Sequence, residues 1–144
     1  STPDEPLQQN RPWDEDKAAS HYQYLNEIRN ETIILKFFAK LNPNLADVKK
    51  RVIIDYIKSA KPNTANFSRQ YIEAFVATLP YDKDDFYDSL DKLEHTNDEH
   101  IEHLVHEAAK ISAADGAIHY EEKRFLAELL QSLREHGLEP DIEF

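Results

Sequence analysis

The sequence predicts an all-helical domain. Only 2 of its 144 residues are glycine, whereas a β sandwich or barrel needs turn residues about every ten positions. Alanine, leucine, isoleucine, glutamate, lysine and aspartate dominate the composition, and this composition favours helices. Large apolar side chains recur at helical spacing along most of the chain. A chain of this length is sufficient for one compact domain with a hydrophobic core.

The N-terminal residues lack this periodicity. Residues 1–12 are polar and contain three prolines, so we expect a disordered linker or tail there. Residues 13–144 are predicted to form a single helical domain that begins at Trp13. The first helix, which ends near residue 27, is predicted from Ala18, Tyr22 and Leu25.

Three further apolar stripes predict the next three helices. The inward residues of the second helix are Ile33, Ile34, Phe37, Phe38 and Leu41. Those of the third, which follows the break at Asn42-Pro43-Asn44, are Val48, Val52, Ile53, Tyr56 and Ile57. Those of the fourth are Phe67, Tyr71, Ile72, Phe75, Val76 and Leu79. Pro62 and Pro80 end the third and fourth helices, because proline cannot continue a helix.

Three more helices complete the predicted bundle of about seven. The fifth begins with Asp82 as its N-cap and has Phe86, Leu90 and Leu93 inward. The sixth is capped by Asn97 or Asp98 and buries Ile101, Leu104, Val105, Ala108 and Ser112. The seventh buries Phe125, Leu126, Leu129, Leu130 and Leu133. Gly137 is predicted as its left-handed C-cap, and Pro140 prevents continuation.

The charge of the chain excludes several classes of partner. The net charge is −11 and the sequence pI is about 5.0, so the electrostatic field repels nucleic acid and anionic lipid.

No cysteine is present, which excludes disulfides and thiolate chemistry. No apolar run approaches the roughly 20 residues that span a bilayer, so we expect no membrane insertion. The chain lacks methionine, and we expect it to be a domain of a longer protein.

Two turns of the sequence form an internal repeat. Asn42-Pro43 aligns with Asp115-Gly116 at an offset of 73 residues and without a gap. The apolar and basic residues that follow each turn align at the same offset: Leu45 with Ile118, Lys50-Arg51 with Lys123-Arg124, and Val52-Ile53 with Phe125-Leu126. The sequence therefore predicts two helix-turn-helix copies with additional helices between them.

These copies resemble the tellurite-resistance TerB family and the TerB-like domains of larger proteins, over residues 30–137. The family's turn has the form A-D-G-x-hydrophobic-x-x-x-E, and the second copy matches it at Ala114, Asp115, Gly116, Ile118 and Glu122. The first copy departs from it, because Asn42-Pro43 replaces Asp-Gly and Lys49 replaces Glu.

The resemblance implies an all-α accessory module without catalytic activity, in bacterial stress-response systems linked to metal ions and the membrane. We expect other proteins as its partners, including components of membrane-associated complexes. The expected location is the cytoplasm, with any contact to the inner face of the membrane made through those partners.

The second turn also has part of the spacing of an EF-hand calcium loop. Asp115, Gly116, Ile118 and Glu122 fall at loop positions 5, 6, 8 and 12, but positions 1 and 3 are then Ile111 and Ala113, which offer no side-chain ligand. A complete EF-hand is excluded. One hypothesis is that Asp115 and Glu122 bind calcium or magnesium with oxygens supplied from elsewhere.

The alternative for the second turn is purely structural. Gly116 would adopt a positive φ, Asp115 would accept backbone N–H groups, and Glu122 would reach back to the N–H of His119 as N-cap.

The sixth helix carries a weaker metal candidate. Glu99, His103 and His106 are predicted to lie on its solvent face, where they would bind zinc or form a solvated polar surface.

The remaining candidates for a functional site are less specific. Trp13, in an acidic stretch, is predicted either to pack on the bundle or to anchor a partner. No nucleophile motif is present, so no catalytic residue is predicted. Two alternatives to an interaction module stay open: a regulatory domain of a larger enzyme or chaperone, and a metallohydrolase with carboxylates and histidines in one pocket.

Overall fold

A computed structural model describes residues 22–95 and 98–139. Within these residues every regular element is helical, which confirms the predicted all-α bundle of about seven helices. The α-helices are α1 (residues 22–27), α2 (Arg29–Leu41), α3 (Ala46–Ala60), α4 (Arg69–Ala77), α5 (Lys83–Asp91), α6 (Asp98–Ser112) and α7 (Tyr120–Glu135). Short 3₁₀ helices at Pro62–Thr64 and Lys92–His95 follow α3 and α5. No described helix is both long enough and apolar enough to cross a bilayer.

Helix α2 lies at the centre of the bundle and contacts α3, α5, α6 and α7. Phe37 of α2 stacks on Phe86 of α5 with ring centroids 4.4 Å apart. The ring of Phe125 from α7 meets Phe37 edge to face at 4.8 Å. Phe38 completes this aromatic cluster. Aromatic pairs in these geometries contribute beyond the area they bury, so the cluster holds α5 and α7 against α2.

The predicted inward faces are confirmed for most helices. The buried residues common to prediction and structure include Leu25, Ile33, Ile34, Phe37, Phe38, Ile53, Tyr56, Ile57, Ile72, Phe75, Val76, Leu79, Phe86, Leu90, Leu93, Ile101, Leu104, Val105, Ala108, Ser112, Phe125, Leu126, Leu129, Leu130 and Leu133. The prediction for Val48 is wrong, because 43% of this residue is exposed, whereas Ile54 is buried. In the first part of α3 the inward position belongs to the neighbouring Lys49.

Several helix ends also follow the predictions. Asp82 is the N-cap of α5, and its N–H donates to Asp85 Oδ2 at 3.1 Å. Gly137 has φ +84° directly after α7. Helix α4 begins later than predicted, because Ser68 is its N-cap and accepts a hydrogen bond from the N–H of Tyr71 at 3.1 Å. Phe67 therefore precedes the helix.

Some predictions lie outside the described residues. They concern the linker at residues 1–12, the role of Trp13, the start of the first helix, Asn97 as a cap, and Pro140.

Candidate functional site

The two turns of the repeat lie side by side in the fold. Asn42 follows the last residue of α2, and Asp115 lies in the turn after α6. Asn42 Nδ2 donates to Asp115 Oδ2 at 3.0 Å, so the bond joins two residues 73 positions apart. This separation equals the offset of the sequence repeat. We call Asn42, Lys49, Asp115, His119 and Glu122 the paired-turn cluster.

The second turn is held by the structural interactions that the sequence predicts. Gly116 has φ +100°, and Asp115 Oδ1 accepts the N–H of Ala117 at 3.4 Å. His119 Nε2 lies 3.0 Å from Asp115 Oδ2. This contact with His119 lowers the pKa of the Asp115 carboxyl, and the same contact raises the pKa of the His119 imidazole. Sequence reasoning did not identify His119 as a partner of Asp115, because the turn, and not a helical spacing, brings the two residues together.

Glu122 caps the start of α7 and is buried. Its Oε1 accepts the N–H of His119, the N-cap residue, at 3.0 Å, as predicted. The residue is 2% exposed, and Oε2 is buried without a hydrogen-bond partner among the described residues. Since burying a carboxylate oxygen without a partner is costly, this oxygen is the unsatisfied group of the cluster.

The first turn has a different construction. Leu45 has φ +57° as the N-cap of α3, and the N–H of Asn44 donates to Asn42 Oδ1 at 3.0 Å. Lys49 stands where the repeat has Glu122 and is only 1% exposed. Its ammonium group donates to the backbone oxygen of Asn42. The departure from the repeat therefore places a buried cation, not a solvated side chain, at this position.

The carboxylate oxygens of Asp115 and Glu122 already have hydrogen-bond partners within the protein, except for Glu122 Oε2. Ile111, at EF-hand position 1, is buried in the core. Across residues 22–95 and 98–139, no three histidine, aspartate or glutamate side chains are grouped closely enough to hold a metal ion. Binding of calcium or magnesium at Asp115 and Glu122 stays a prediction.

The Gly116→Ala variant is expected to lose about 1 kcal/mol of its free energy of unfolding, because an L-residue is strained at a positive φ. A Cβ at this position would meet no atom within 4 Å, so the loss reports backbone conformation alone. Urea unfolding measures it, and Gly116→Asn is the control, since asparagine tolerates left-handed backbone better. Equal stability of Gly116→Ala and the wild type would contradict this account of the turn.

The histidine-rich part of α6 does not form one solvent face. Glu99 and His106 are exposed, but His103 is half-buried against the ring of Tyr56, with centroids 4.8 Å apart. The prediction that His103 faces solvent is therefore wrong, because the ring of Tyr56 from α3 covers part of it. Zinc binding by Glu99, His103 and His106 stays a prediction.

A buried polar network joins α2, α3 and α6. Tyr56 Oη donates to Glu31 Oε1 at 2.7 Å, and His100 Nε2 contacts the same oxygen. Tyr56 Oη also lies 3.3 Å from His100 Nε2. The hydrogen bond with Glu31 raises the pKa of the His100 imidazole, and burial raises the pKa of Tyr56 further above neutrality. No sequence pattern indicates this network, since its members are 25 to 69 residues apart.

A groove of about 740 Å³ lies between α2, α3 and α4. Ile53 and Val76 are its buried apolar lining, and Lys40, Lys50 and Tyr81 are exposed lining residues. The small side chains that leave room in it are Ala39, Ala46, Ala74 and Ala77. We call this feature the lysine groove.

The charges of the lysine groove have unequal roles. Lys36 is buried, and its ammonium group donates to the backbone oxygens of Val76 at 2.7 Å and Leu79 at 2.8 Å. It therefore caps the C-terminal end of α4, where a positive charge is favourable. Lys40 and Lys50 form no ion pair with a described residue, so their charges are available to a ligand.

A smaller cavity of about 240 Å³ lies between α5 and α7. Its acidic lining residues are Asp91, Glu128 and Glu135, and no histidine lines it. The lysine groove has one acid, Glu73, and no histidine either. Neither cavity thus combines acids with a histidine, as a metallohydrolase would require.

The sequence and the fold were compared with protein families, curated proteins and solved structures. No protein family matches the sequence, and no curated protein and no solved structure matches the chain.

Proposed function

We propose that this chain is a non-catalytic, TerB-like interaction module that binds an acidic amphipathic segment of a partner protein in the lysine groove. The observation that carries the proposal is the pair of exposed cations, Lys40 and Lys50, beside exposed apolar side chains of the groove. Lys40 Nζ lies 5.4 Å from the centroid of the Tyr81 ring, and neither lysine forms an ion pair with a described residue. The chain as a whole has a net charge of −11, so a local positive site is a departure from its general surface.

The chemistry of the groove specifies the occupant. The exposed side chains of Ala46, Ala74 and Ala77 would contact the apolar face of an amphipathic helix, as in other helix-in-groove interactions. Carboxylates beside that face would meet Lys40 and Lys50, and such complementarity selects the partner. The one acid of the groove, Glu73, accepts a hydrogen bond from Arg69 Nε at 3.1 Å, which reduces its repulsion of an acidic ligand.

This function fits a free-standing stress-response protein and a regulatory domain of a larger enzyme or chaperone equally well. In both cases the groove would be the docking surface. The metallohydrolase is the weaker alternative, because the histidines and acids of the described cavities do not meet.

The proposal is tested with an amphipathic helical peptide that carries a leucine stripe flanked by glutamates. Its matched control has lysines in place of the glutamates. We expect the acidic peptide alone to shift the backbone amide resonances of α2, α3 and α4, with an affinity that falls as salt is added. Failure of both peptides to bind, or equal shifts on α7, would overturn the proposal.

The double variant Lys40→Glu/Lys50→Glu is expected to weaken binding of the acidic peptide at least tenfold, or about 1.4 kcal/mol. The matched control is Lys92→Glu/Lys123→Glu, which changes the net charge equally at exposed positions outside the groove. Isothermal titration calorimetry measures both affinities. Equal weakening by the two double variants would show attraction to overall charge and not to the groove.

A further inference from the structure

The lysine groove lies close to the point where the described part of the chain begins. Tyr22 of α1 meets the ring of Phe75 in α4 edge to face, with ring centroids 5.9 Å apart. Phe75 lies between Ala74 and Val76, two residues that line the groove. The chain that precedes Tyr22 therefore starts beside the helix that forms one wall of the groove.

The sequence before Tyr22 has the chemistry of the occupant proposed above. Residues 13–16 are Trp-Asp-Glu-Asp, an aromatic side chain followed by three carboxylates, and we call them the acidic anchor. Residues 1–21 contain two bases, Arg11 and Lys17, and five acids: Asp4, Glu5, Asp14, Glu15 and Asp16. An apolar group beside several carboxylates is complementary to a groove with exposed alanines and exposed lysines.

The acidic anchor can reach the groove from its covalent attachment. Trp13 precedes Tyr22 by nine residues, which span about 14 Å as a helix and about 30 Å when extended. A helix such as α4 is about 10–12 Å across with its side chains, so either conformation exceeds its width. A ligand on a short link has an effective concentration in the millimolar range. A weak contact is therefore sufficient to fill the groove.

We propose that the acidic anchor occupies the lysine groove of its own chain and competes there with the partner segment. In this arrangement the indole of Trp13 covers the exposed alanines of the groove, and the carboxylates of residues 14–16 meet Lys40 and Lys50. The inference rests on the proposed function, because both occupants use the same chemistry of the groove. A partner must displace the anchor, so its apparent affinity falls in proportion to the fraction of molecules with an open groove.

The first test uses the fluorescence of Trp13, which reports the anchor alone because the chain has no other tryptophan. The Lys40→Glu/Lys50→Glu variant is expected to shift the emission to longer wavelength and to raise the acrylamide quenching constant at least twofold. The control, Lys92→Glu/Lys123→Glu, is expected to leave both unchanged, since its positions are exposed and outside the groove. Equal changes in the two variants, or no change in either, would overturn the inference.

The second test measures competition with the acidic peptide described above. The Asp14→Asn/Glu15→Gln variant is expected to bind this peptide at least tenfold more tightly than the wild type, as measured by isothermal titration calorimetry. The matched control is Asp55→Asn/Glu135→Gln, which removes the same charge at exposed positions outside the groove. Equal tightening by the two variants would show relief of overall repulsion and would overturn the inference.

Failure of the inference and failure of the proposed function give different results. Equal peptide binding by the wild type and the anchor variant would keep the proposed function and overturn the inference. Peptide binding by neither protein would overturn the proposed function, and the fluorescence of Trp13 would then decide the inference. A shift of the wild-type emission to longer wavelength on dilution would place the anchor in the groove of a second copy, and this result would also overturn the inference.

Discussion

The Phe86→Ala variant is expected to lose about 3–5 kcal/mol of its free energy of unfolding, because it removes a fully buried ring and leaves a cavity. Phe86 contacts Phe37 at 4.4 Å, Phe125 at 5.5 Å and Phe38 at 5.7 Å between ring centroids. It thus joins three helices, and its neighbours are large rings that cannot collapse easily into the space. A domain typically has only about 5–15 kcal/mol of stability, so this loss is a large share.

Urea unfolding followed by circular dichroism measures this loss. Phe86→Leu is the matched control, since it keeps apolar volume and removes only the ring; its loss is expected to be clearly smaller. Equal losses for the two variants would contradict the cavity explanation, because they would show that apolar volume at this position restores none of the stability.

The His100→Gln variant is expected to lose about 2 kcal/mol below pH 6.5, the range expected for a hydrogen bond between charged groups. The hydrogen bond with Glu31 raises the pKa of His100 in the folded protein. The stabilisation is therefore fully present below the pKa of an unfolded histidine and is lost as the pH rises through the folded value. Tyr56 Oη lies 3.3 Å from this imidazole, and the charge of Lys61 also acts on it.

The measurement is the difference in unfolding free energy between wild type and variant from pH 5 to pH 9. The difference is expected to be largest in acid and to shrink in alkali. His106→Gln is the control, because His106 is exposed on the same helix. A difference that is constant with pH, or that grows in alkali, would contradict the assignment of the Glu31 and His100 pair.

The apolar faces of the helices could be predicted because burial of apolar area repeats with the helical period. The prediction for Val48 was wrong because it assumed that an inward position carries an apolar residue. Lys49 occupies that position, and its partner is the backbone oxygen of Asn42 seven residues earlier. Lys36 is a similar case, since its acceptors lie 40 residues away in the last turn of α4 and 43 residues away just after that helix. Periodicity cannot reveal a buried charge whose partners are contributed by tertiary structure.

The candidate site could be predicted only in its local parts. The cap by Glu122 and the positive φ of Gly116 follow from turn chemistry within a few residues. The contact between Asn42 and Asp115 had a signal in the repeat, which aligned the two residues without showing that they touch. The lysine groove had no signal, because its lining comes from three helices and its volume depends on how they pack.

The bond between Asn42 and Asp115 closes a loop that contains α3, α4, α5 and α6. Helix α2 packs on α5 and α6, which lie inside this loop, and on α7, which lies beyond it. The rings of Phe37 and Phe38 in α2 are therefore buried only when α5 and α7, which come later in the chain, pack against them. The two halves of the repeat therefore share one core, and we expect neither half to fold on its own.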